Sequence, residues 1–208
     1  MIARRSLVAL GALAVLAASA GCSITRPSLE RQAFAISAER PPGQAQPHNP
    51  ARFPVTLKVG RIGMQPPYGG TSFVYRVGEL RYEVDPYNGF LAAPNELLGQ
   101  AIARWLGESG LFVAVREPAS PLTGDYVLEG LVTELYGDAR DTPEAVVAIQ
   151  LFVRRAGAEG GIVFEHRYVQ RVPIANDSAD ALARGYGVAL GKVLEALERD
   201  LAGVKLGR

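Results

Sequence analysis

The sequence contains very little cysteine or histidine, with one Cys and two His among 208 residues. A disulfide within the chain needs two cysteines, and a zinc centre built on thiolates needs several such ligands, so both are excluded. An excess of one charge is also missing, because 22 Lys and Arg accompany 21 Asp and Glu. The net charge of +1 creates no broad basic surface, and we therefore expect no nucleic-acid partner.

Long hydrophobic runs are scarce too, and the run at the amino terminus covers only residues 6–18. It is shorter than the stretch of about 20 apolar residues that a membrane-spanning helix needs. Two arginines precede it, and three small residues follow it at positions 19–21. This order is typical of a secretory signal, so we predict that residues 1–21 are a signal peptide.

The single cysteine, Cys22, directly follows Ala20 and Gly21. This arrangement resembles a bacterial lipobox, although Ser19 occupies the position where leucine is usual. The resemblance implies a lipoprotein whose Cys22 is diacylated on sulfur and acylated again on the amino terminus that cleavage creates. Ser23 rather than aspartate comes next, and in enteric bacteria this pattern implies sorting to the outer membrane. The alternative is an ordinary signal peptide followed by an incidental free thiol.

The rest of the chain has the composition of a globular protein, since 48% of all residues are hydrophobic and 21% are charged. We predict a short tether at residues 22–33 and a single domain at residues 34–203. Apolar alternation and turn residues predict eight strands, at residues 34–37, 55–60, 73–77, 80–84, 112–115, 126–136, 145–154 and 162–172. The third and fourth are predicted to form a hairpin with a two-residue loop, Gly78-Glu79, and to end at the turn residues 85–89. The last three are predicted to form an antiparallel meander.

Two amphipathic helices complete the predicted fold. Pro94 suits the first turn of a helix, and Gly110 suits its end. Ser178 is the predicted cap of the second helix, which runs to about Leu201. A seam of small residues on this helix predicts a close approach to a neighbouring element: Ala183, Gly187 and Gly191. The fold class is therefore α+β, with two main helices on one face of a mostly antiparallel, mixed sheet.

The sequence offers few residues suited to catalysis. Glu83 with Asp85, and Asp138 with Asp141, are acid pairs that a hydrolase would use, but both lie where aspartate commonly makes turn hydrogen bonds. His166 with a nearby acid is the remaining candidate for a periplasmic hydrolase. We predict neither catalytic nor metal-binding residues, and hence no enzyme.

Aromatic residues and arginine are concentrated around the predicted hairpin. This combination is typical of protein-binding surfaces. We predict a partner-binding site made of Tyr75, Arg76, Tyr82, Tyr87 and Phe90. The alternative is that about half of these residues pack the hairpin itself.

Several segments resemble the auxiliary lipoproteins of ABC-type transport systems, the paraquat-inducible protein C group. The segments are Phe73-Val-Tyr-Arg, Glu79-Leu-Arg-Tyr, residues 87–94, the helix and strand at residues 97–112, and the closing helix from Ser178 to Leu197. Phe90 occupies a position where the family pattern leads us to expect tryptophan. The resemblance covers most of residues 34–202.

The resemblance implies a non-enzymatic periplasmic subunit that is anchored in the outer membrane of a Gram-negative bacterium. Its implied partner is a mammalian-cell-entry (MCE) type protein and, through it, an inner-membrane ABC transporter that moves lipid. The implied non-protein group is the covalent lipid on Cys22, with no other cofactor. The oligomeric state stays open, with a homo-oligomer among the alternatives, as does a structural envelope lipoprotein that is not connected to a transporter.

Overall fold

The computed structural model describes residues 31–41, 51–157 and 160–207, so Cys22 and the predicted signal peptide lie outside the described residues. A compact unit begins at Arg31. Its elements in chain order are β1 (Gln32–Phe34), β2 (Phe53–Met64), β3 (Ser72–Arg76), β4 (Tyr82–Phe90), α1 (Pro94–Glu108), β5 (Phe112–Arg116), β6 (Tyr126–Asp138), β7 (Glu144–Arg155), β8 (Ile162–Pro173) and α2 (Ala179–Gly203).

The ends of both helices follow from local sequence signals. Pro94 occupies the first turn of α1, where its missing N–H leaves no intrahelical bond unmade. Gly110 has a φ of 71°, a left-handed conformation that glycine adopts without a steric penalty, and it lies just beyond the helix end. At α2, the hydroxyl of Ser178 accepts a hydrogen bond from the backbone N–H of Ala181. Both predicted helices and the predicted cap are confirmed.

The eight strands form one mixed sheet around β6. β6 pairs with β7 along one edge and with β2 and then β3 along the other. β5 extends the sheet from β2, whereas β4 and then β1 extend it from β3. The pairs β3–β4, β6–β7 and β7–β8 are antiparallel, and the other pairs are parallel. The α+β class and the β6–β7–β8 meander are confirmed.

Both helices pack on the same face of the sheet, α1 over β2 and β5 and α2 over β7 and β8. Trp105 of α1 is buried where the two helices meet, and its indole N–H donates to the Glu198 carboxylate of α2 at 2.8 Å. The predicted apolar stripe of α2 is fully buried: Leu182, Tyr186, Ala189, Leu190, Val193, Leu197 and Leu201. Burial of this stripe is the main source of the stability of α2, because helices in proteins gain most of their stability from the packing of an apolar face.

The opposite face of β6, β7 and β8 carries charged side chains that pair across the strands. Arg154 lies 3.0 Å from Glu129, and Arg167 lies 3.0 Å from Glu134. Cross-strand pairs of opposite charge each contribute a few tenths of a kcal/mol to about 1 kcal/mol. Much of this face is therefore polar, although Val146, Ala148 and Tyr136 are buried on it.

The small-residue seam of α2 lies against the chain segment that follows β1. A Cβ atom built on Gly187 would lie 2.4 Å from the backbone oxygen of Ser37, closer than any side chain tolerates. At Gly191 the corresponding distance to the backbone oxygen of Glu39 is 3.8 Å. The predicted close approach is confirmed, and the neighbour is an extended backbone rather than another helix.

Three local predictions were wrong. The first strand is Gln32–Phe34, because the segment after Phe34 leaves the sheet and packs on α2. The hairpin loop spans residues 77–81 instead of two residues, since Val77 and Gly78 both donate to the backbone oxygen of Arg81. β4 extends past the predicted turn to Phe90, where β1 pairs with its last three residues, although the pairing of β4 with β3 is irregular between Val84 and Gly89.

No helix in the described ranges is both long enough and apolar enough to cross a membrane.

Candidate partner-binding surface

The β3–β4 hairpin exposes apolar side chains that a folded domain would normally bury. Leu80, at the tip of the loop, is 92% exposed, and Val84 and Tyr82 are 60% and 39% exposed. Tyr82 and Val84 are two residues apart in β4, so their side chains project from the same face of the strand. Tyr87, further along β4, is 44% exposed. We call these four residues the hairpin surface.

Tyr82 is held in place from behind by other aromatic rings. Its ring meets Tyr136 edge to face with the centroids 5.7 Å apart, and Tyr136 in turn stacks on Tyr68 at 6.0 Å. Both supporting tyrosines are buried. Burial raises the pKa of Tyr68 above its ordinary value, with smaller contributions from Tyr82 and Tyr136. Tyr82 is therefore packed against buried rings while it stays partly exposed, and a side chain that is already held in place loses less entropy when it binds a partner.

Arg76 shapes the loop that carries Leu80. Its guanidinium donates to the backbone oxygens of Gly78 and Glu79, at 3.3 and 2.7 Å. The same guanidinium lies 5.8 Å from the ring centroid of Tyr82, within the range of a cation–π interaction. Arg76 is therefore a positioning residue for the hairpin surface and is itself only half-buried.

Tyr75 points to the other face of the hairpin, away from Tyr82. It lines a shallow cavity of about 370 Å³ together with Glu83, Asp85 and Asp177 near the start of α2. Burial raises the pKa of Tyr75 to about 12, and the charges of Asp85 and Asp177 add to the shift. The structure thus separates Tyr75 from the other predicted binding residues.

Phe90 does not belong to the surface, which corrects its predicted role. Its side chain is buried, edge to face with Phe73 at 4.8 Å and 5.7 Å from Tyr186 of α2. Phe34 of β1 joins the same group, 5.4 Å from Phe73. The ring is drawn inward because β4 continues to Phe90 and directs it under α2. Phe90 is therefore a core residue.

The first acid pair, Glu83 and Asp85, makes local contacts, as expected of residues near a turn. One carboxylate oxygen of Asp85 accepts hydrogen bonds from the backbone N–H groups of Tyr87 and Asn88, at 2.8 and 2.9 Å. Such bonds from an aspartate to the two or three residues after it are typical of turns. Glu83 instead lies 3.7 Å from Arg81 in an exposed ion pair.

The buried acid of the second pair, Asp138, belongs to a structural ion-pair network. It receives two hydrogen bonds from the guanidinium of Arg140, at 2.8 and 2.6 Å, and one from Arg171 at 3.3 Å. Hydrogen bonding to Arg140 lowers the pKa of Asp138 to about 2. A carboxylate that is held ionised by two arginines is a poor proton donor or acceptor near neutral pH.

His166, the histidine considered for a hydrolase, makes no hydrogen bond or ion pair with an acid among the described residues. His166 lies on β8 with its ring 4.6 Å from that of Tyr168, and its side chain is exposed. Across residues 31–41, 51–157 and 160–207, no group of three or more Cys, His, Asp or Glu residues is arranged to hold a metal ion.

Two residues of the hairpin surface, Leu80 and Val84, were not predicted as binding residues. The signal was present, because Leu80, Tyr82 and Val84 alternate with the charged residues Arg81 and Glu83. Such alternation marks a strand with one apolar face. Sequence alone does not tell whether this face is covered, and the structure shows that it is open.

Comparison with solved structures identifies the fold. A crystal structure of a Xanthomonas campestris protein of family DUF330 is similar, with a TM-score of 0.70 and 18% sequence identity over 83% of this chain and 96% of that one. A second, uncharacterised protein matches with a TM-score of 0.66 and 14% identity over 83% of this chain and 99% of that one. No family model and no curated protein matches the sequence. At such low identities, these likenesses show a shared fold.

Proposed function

We propose that this chain is a periplasmic lipoprotein, anchored in the outer membrane, that serves as an auxiliary subunit of an MCE-type lipid transport system driven by an ABC transporter. In this proposal the hairpin surface docks the MCE-type partner. The observation that carries the proposal is a group of exposed apolar side chains on one hairpin, Leu80 with Tyr82 and Val84.

The character of the hairpin surface favours a protein partner. Interfaces are enriched in aromatic residues and arginine, and an exposed apolar patch with a polar rim is typical of a binding site. Here Tyr82 and Leu80 are flanked by the charged residues Arg81 and Glu83. The fixed position of Tyr82 against Tyr136 is what an anchor residue of an interface needs.

The place of the hairpin in the fold connects it with the predicted lipid anchor. β1 pairs with Asn88–Phe90 of β4, and Arg31, just before β1, donates to the Thr71 hydroxyl beside β3 at 3.1 Å. The chain thus enters the domain next to the hairpin. Ten residues lead from Cys22 to Gln32, which span at most about 33–36 Å. An acylated Cys22 would therefore keep the hairpin surface near the inner leaflet of the outer membrane.

The direct test is capture of the partner by the full-length, tagged chain from detergent-solubilised envelopes of the source bacterium. We expect an MCE-type protein to co-purify, as identified by mass spectrometry. The matched control is Leu80→Asp, which places a charge at the most exposed point of the hairpin surface and should lose the MCE-type protein. Capture of no MCE-type protein by the wild-type chain would contradict the proposal.

The anchor has its own test, which is independent of the partner. Intact-mass analysis should find acyl chains on Cys22, and an unmodified thiol there would disprove the lipoprotein part of the proposal. Cys22→Ser should leave the domain folded but either release it into the periplasm or leave the signal peptide uncut. If Cys22→Ser complements a deletion as well as the wild-type gene does, anchoring is not needed for the function.

A further inference from the structure

Residues 35–41, which follow β1 and run along α2, are called the strap. Its side chains alternate as in a strand, because Ile36, Ala38 and Arg40 face the core and the residues between them are exposed. The backbone of residues 35–39, however, makes no hydrogen bond to another residue in the described ranges. The strap is therefore held to the domain by its side chains and not by a strand ladder.

The contact between the strap and α2 is narrow. Ser37 lies beside Gly187, and Glu39 lies beside Gly191 one helical turn further on. At both points a backbone oxygen of the strap faces a glycine, so no side chain of α2 packs against it there. A groove of about 640 Å³ runs between the strap and α2 along the same residues. Elements that are fixed on each other are normally close-packed, and the strap is not close-packed on α2.

Arg40 makes the strongest contacts of the strap. Its guanidinium lies 4.2 Å from the ring centroid of Trp105 and donates to the Glu198 carboxylate at 2.7 Å. It also donates to the backbone oxygen of Trp105 at 2.7 Å. This oxygen is one of the last four carbonyl groups of α1, which have no partner within a helix. One side chain therefore connects the strap to both helices.

We propose that the strap opens from α2 as one unit while the sheet and both helices stay folded, and that Arg40 is the contact that keeps it closed. Segments with few backbone hydrogen bonds and sparse packing open at a lower free energy than the whole domain unfolds. Opening uncovers the ring of Trp105 and the small-residue seam of α2. The strap needs no partner for this change, so the inference does not depend on the proposed function.

Trp105 is a specific reporter of the strap, because it is the only tryptophan in the chain and is buried beneath Arg40. Quenching of its fluorescence by acrylamide, in the full-length chain purified in detergent, measures access to the ring. Far-UV circular dichroism of the same samples measures the sheet and the helices. A urea titration followed by both signals therefore separates opening of the strap from unfolding of the domain.

We expect quenching to rise at lower urea concentrations than those at which the dichroism signal is lost. Its dependence on urea should also be shallower, because sensitivity to denaturant scales with the surface that a transition exposes. Two curves that coincide in midpoint and slope would show that the strap unfolds only with the whole domain, which would overturn the proposal.

Gly187→Ala loosens the strap without a change at its other contacts, since the new Cβ meets only Ser37 within 4 Å. It should lower the midpoint of the quenching curve by more than that of the dichroism curve. Gly107→Ala is the matched control in α1, where the new Cβ meets no atom within 4 Å. It should raise the dichroism midpoint, because alanine favours the helix, and leave the quenching midpoint unchanged. Equal shifts of both midpoints in each variant would contradict a separate strap.

Arg40→Met removes the charge and the N–H groups of the residue that keeps the strap closed. We expect strong quenching of Trp105 without urea, while the dichroism transition remains. Addition of Gly187→Ala should then leave the quenching curve unchanged, because the strap is already open. Gly187 and Glu198 are about 16 Å apart along α2, so direct coupling of the two changes is not expected. If Gly187→Ala shifts the curve as much in this background as in the wild type, Arg40 does not keep the strap closed.

Discussion

Two arginine–aromatic pairs in this molecule use the same chemistry in different surroundings, one inside the core and one at the hairpin surface for which we propose a role in partner binding. Arg40 lies 4.2 Å from the ring centroid of Trp105 and 2.7 Å from the Glu198 carboxylate, with only 7% of its side chain exposed. Arg76 lies 5.8 Å from the ring centroid of Tyr82 in the hairpin, and Tyr82 stays partly exposed.

The difference lies in what each pair connects. Arg40 joins the segment after β1 to both helices, since it also donates to the backbone oxygen of Trp105 at 2.7 Å. Cation–π pairs and ion pairs are stronger when they are removed from water. The guanidinium of Arg76 contacts its own loop and the ring of Tyr82, so this side chain fixes a local surface and does not join distant elements. Changes in the first pair should lower stability, whereas changes in the hairpin should lower binding.

The largest loss of stability is expected from Trp105→Ala. This change removes a buried ring, its bond to Glu198 and the aromatic face on which Arg40 lies. Truncation of a buried Trp to Ala typically costs about 3–5 kcal/mol. Chemical denaturation of the variant and the wild-type protein measures the difference. A loss below about 1 kcal/mol would show that the contact between the helices is not a main part of the core.

The next largest loss of stability is expected from Arg40→Ala, which should lower the free energy of unfolding by about 3 kcal/mol. This is the lower end of the range for breaking a buried ion pair. The lower end applies because Glu198 keeps 24% of its side chain exposed. Arg184→Ala on α2 is the matched control, since its pair with Asp180 is exposed on both sides. Exposed pairs are worth well under about 1 kcal/mol. Equal losses in both variants would remove the distinction between buried and exposed arginines.

Gly187→Ala tests the close approach of α2 to the segment that carries Arg40. The new Cβ would lie 2.4 Å from the Ser37 oxygen, so overpacking should cost about 1–3 kcal/mol. Gly107→Ala in α1 meets no atom within 4 Å and should raise stability by up to about 1 kcal/mol, because alanine favours the helix. Thermal melts of the two variants should therefore shift in opposite directions, and shifts in the same direction would contradict the packing.

A smaller effect is expected on the stability of the protein at acidic pH, and it depends on Asp138. Because the pKa of Asp138 is lowered to about 2 in the folded protein, the stability that its charge provides is complete above about pH 4 and is lost as the pH falls toward 2. Asp138→Asn should remove this contribution, on the order of 1–2 kcal/mol, and flatten the pH profile between pH 4 and 2. Asp141→Asn serves as an exposed control nearby, and an equal flattening there would contradict the assignment.

The sequence predicted those parts of the fold that have local signals. Pro94, Gly110 and Ser178 mark helix ends, and the apolar stripe of α2 has a clear helical period. The β6–β7–β8 meander follows from short glycine-bearing loops. The parallel pairing of β2 with β5 and β6 joins segments that are far apart in the chain, and no local pattern reports it.

The candidate site was predicted only in part, for a similar reason. Tyr82 and Tyr87 are exposed as expected, but Phe90 is buried because β1 pairs with the end of β4, a contact between distant segments. Arg40 lies in a proline-rich stretch and carries no local sign of its contacts with Trp105 and Glu198. The aromatic pattern alone does not show which rings are buried, because burial is decided by tertiary contacts.

The proposal that the hairpin surface binds a partner is tested most directly by measuring binding and stability in the same variant, Leu80→Asp. Affinity for the purified MCE-type partner should fall at least about tenfold, which corresponds to 1.4 kcal/mol. The free energy of unfolding should stay within about 0.5 kcal/mol of the wild-type value, because Leu80 is almost fully exposed. Unchanged affinity, or a loss of stability as large as that of Arg40→Ala, would contradict a hairpin that recognises a partner.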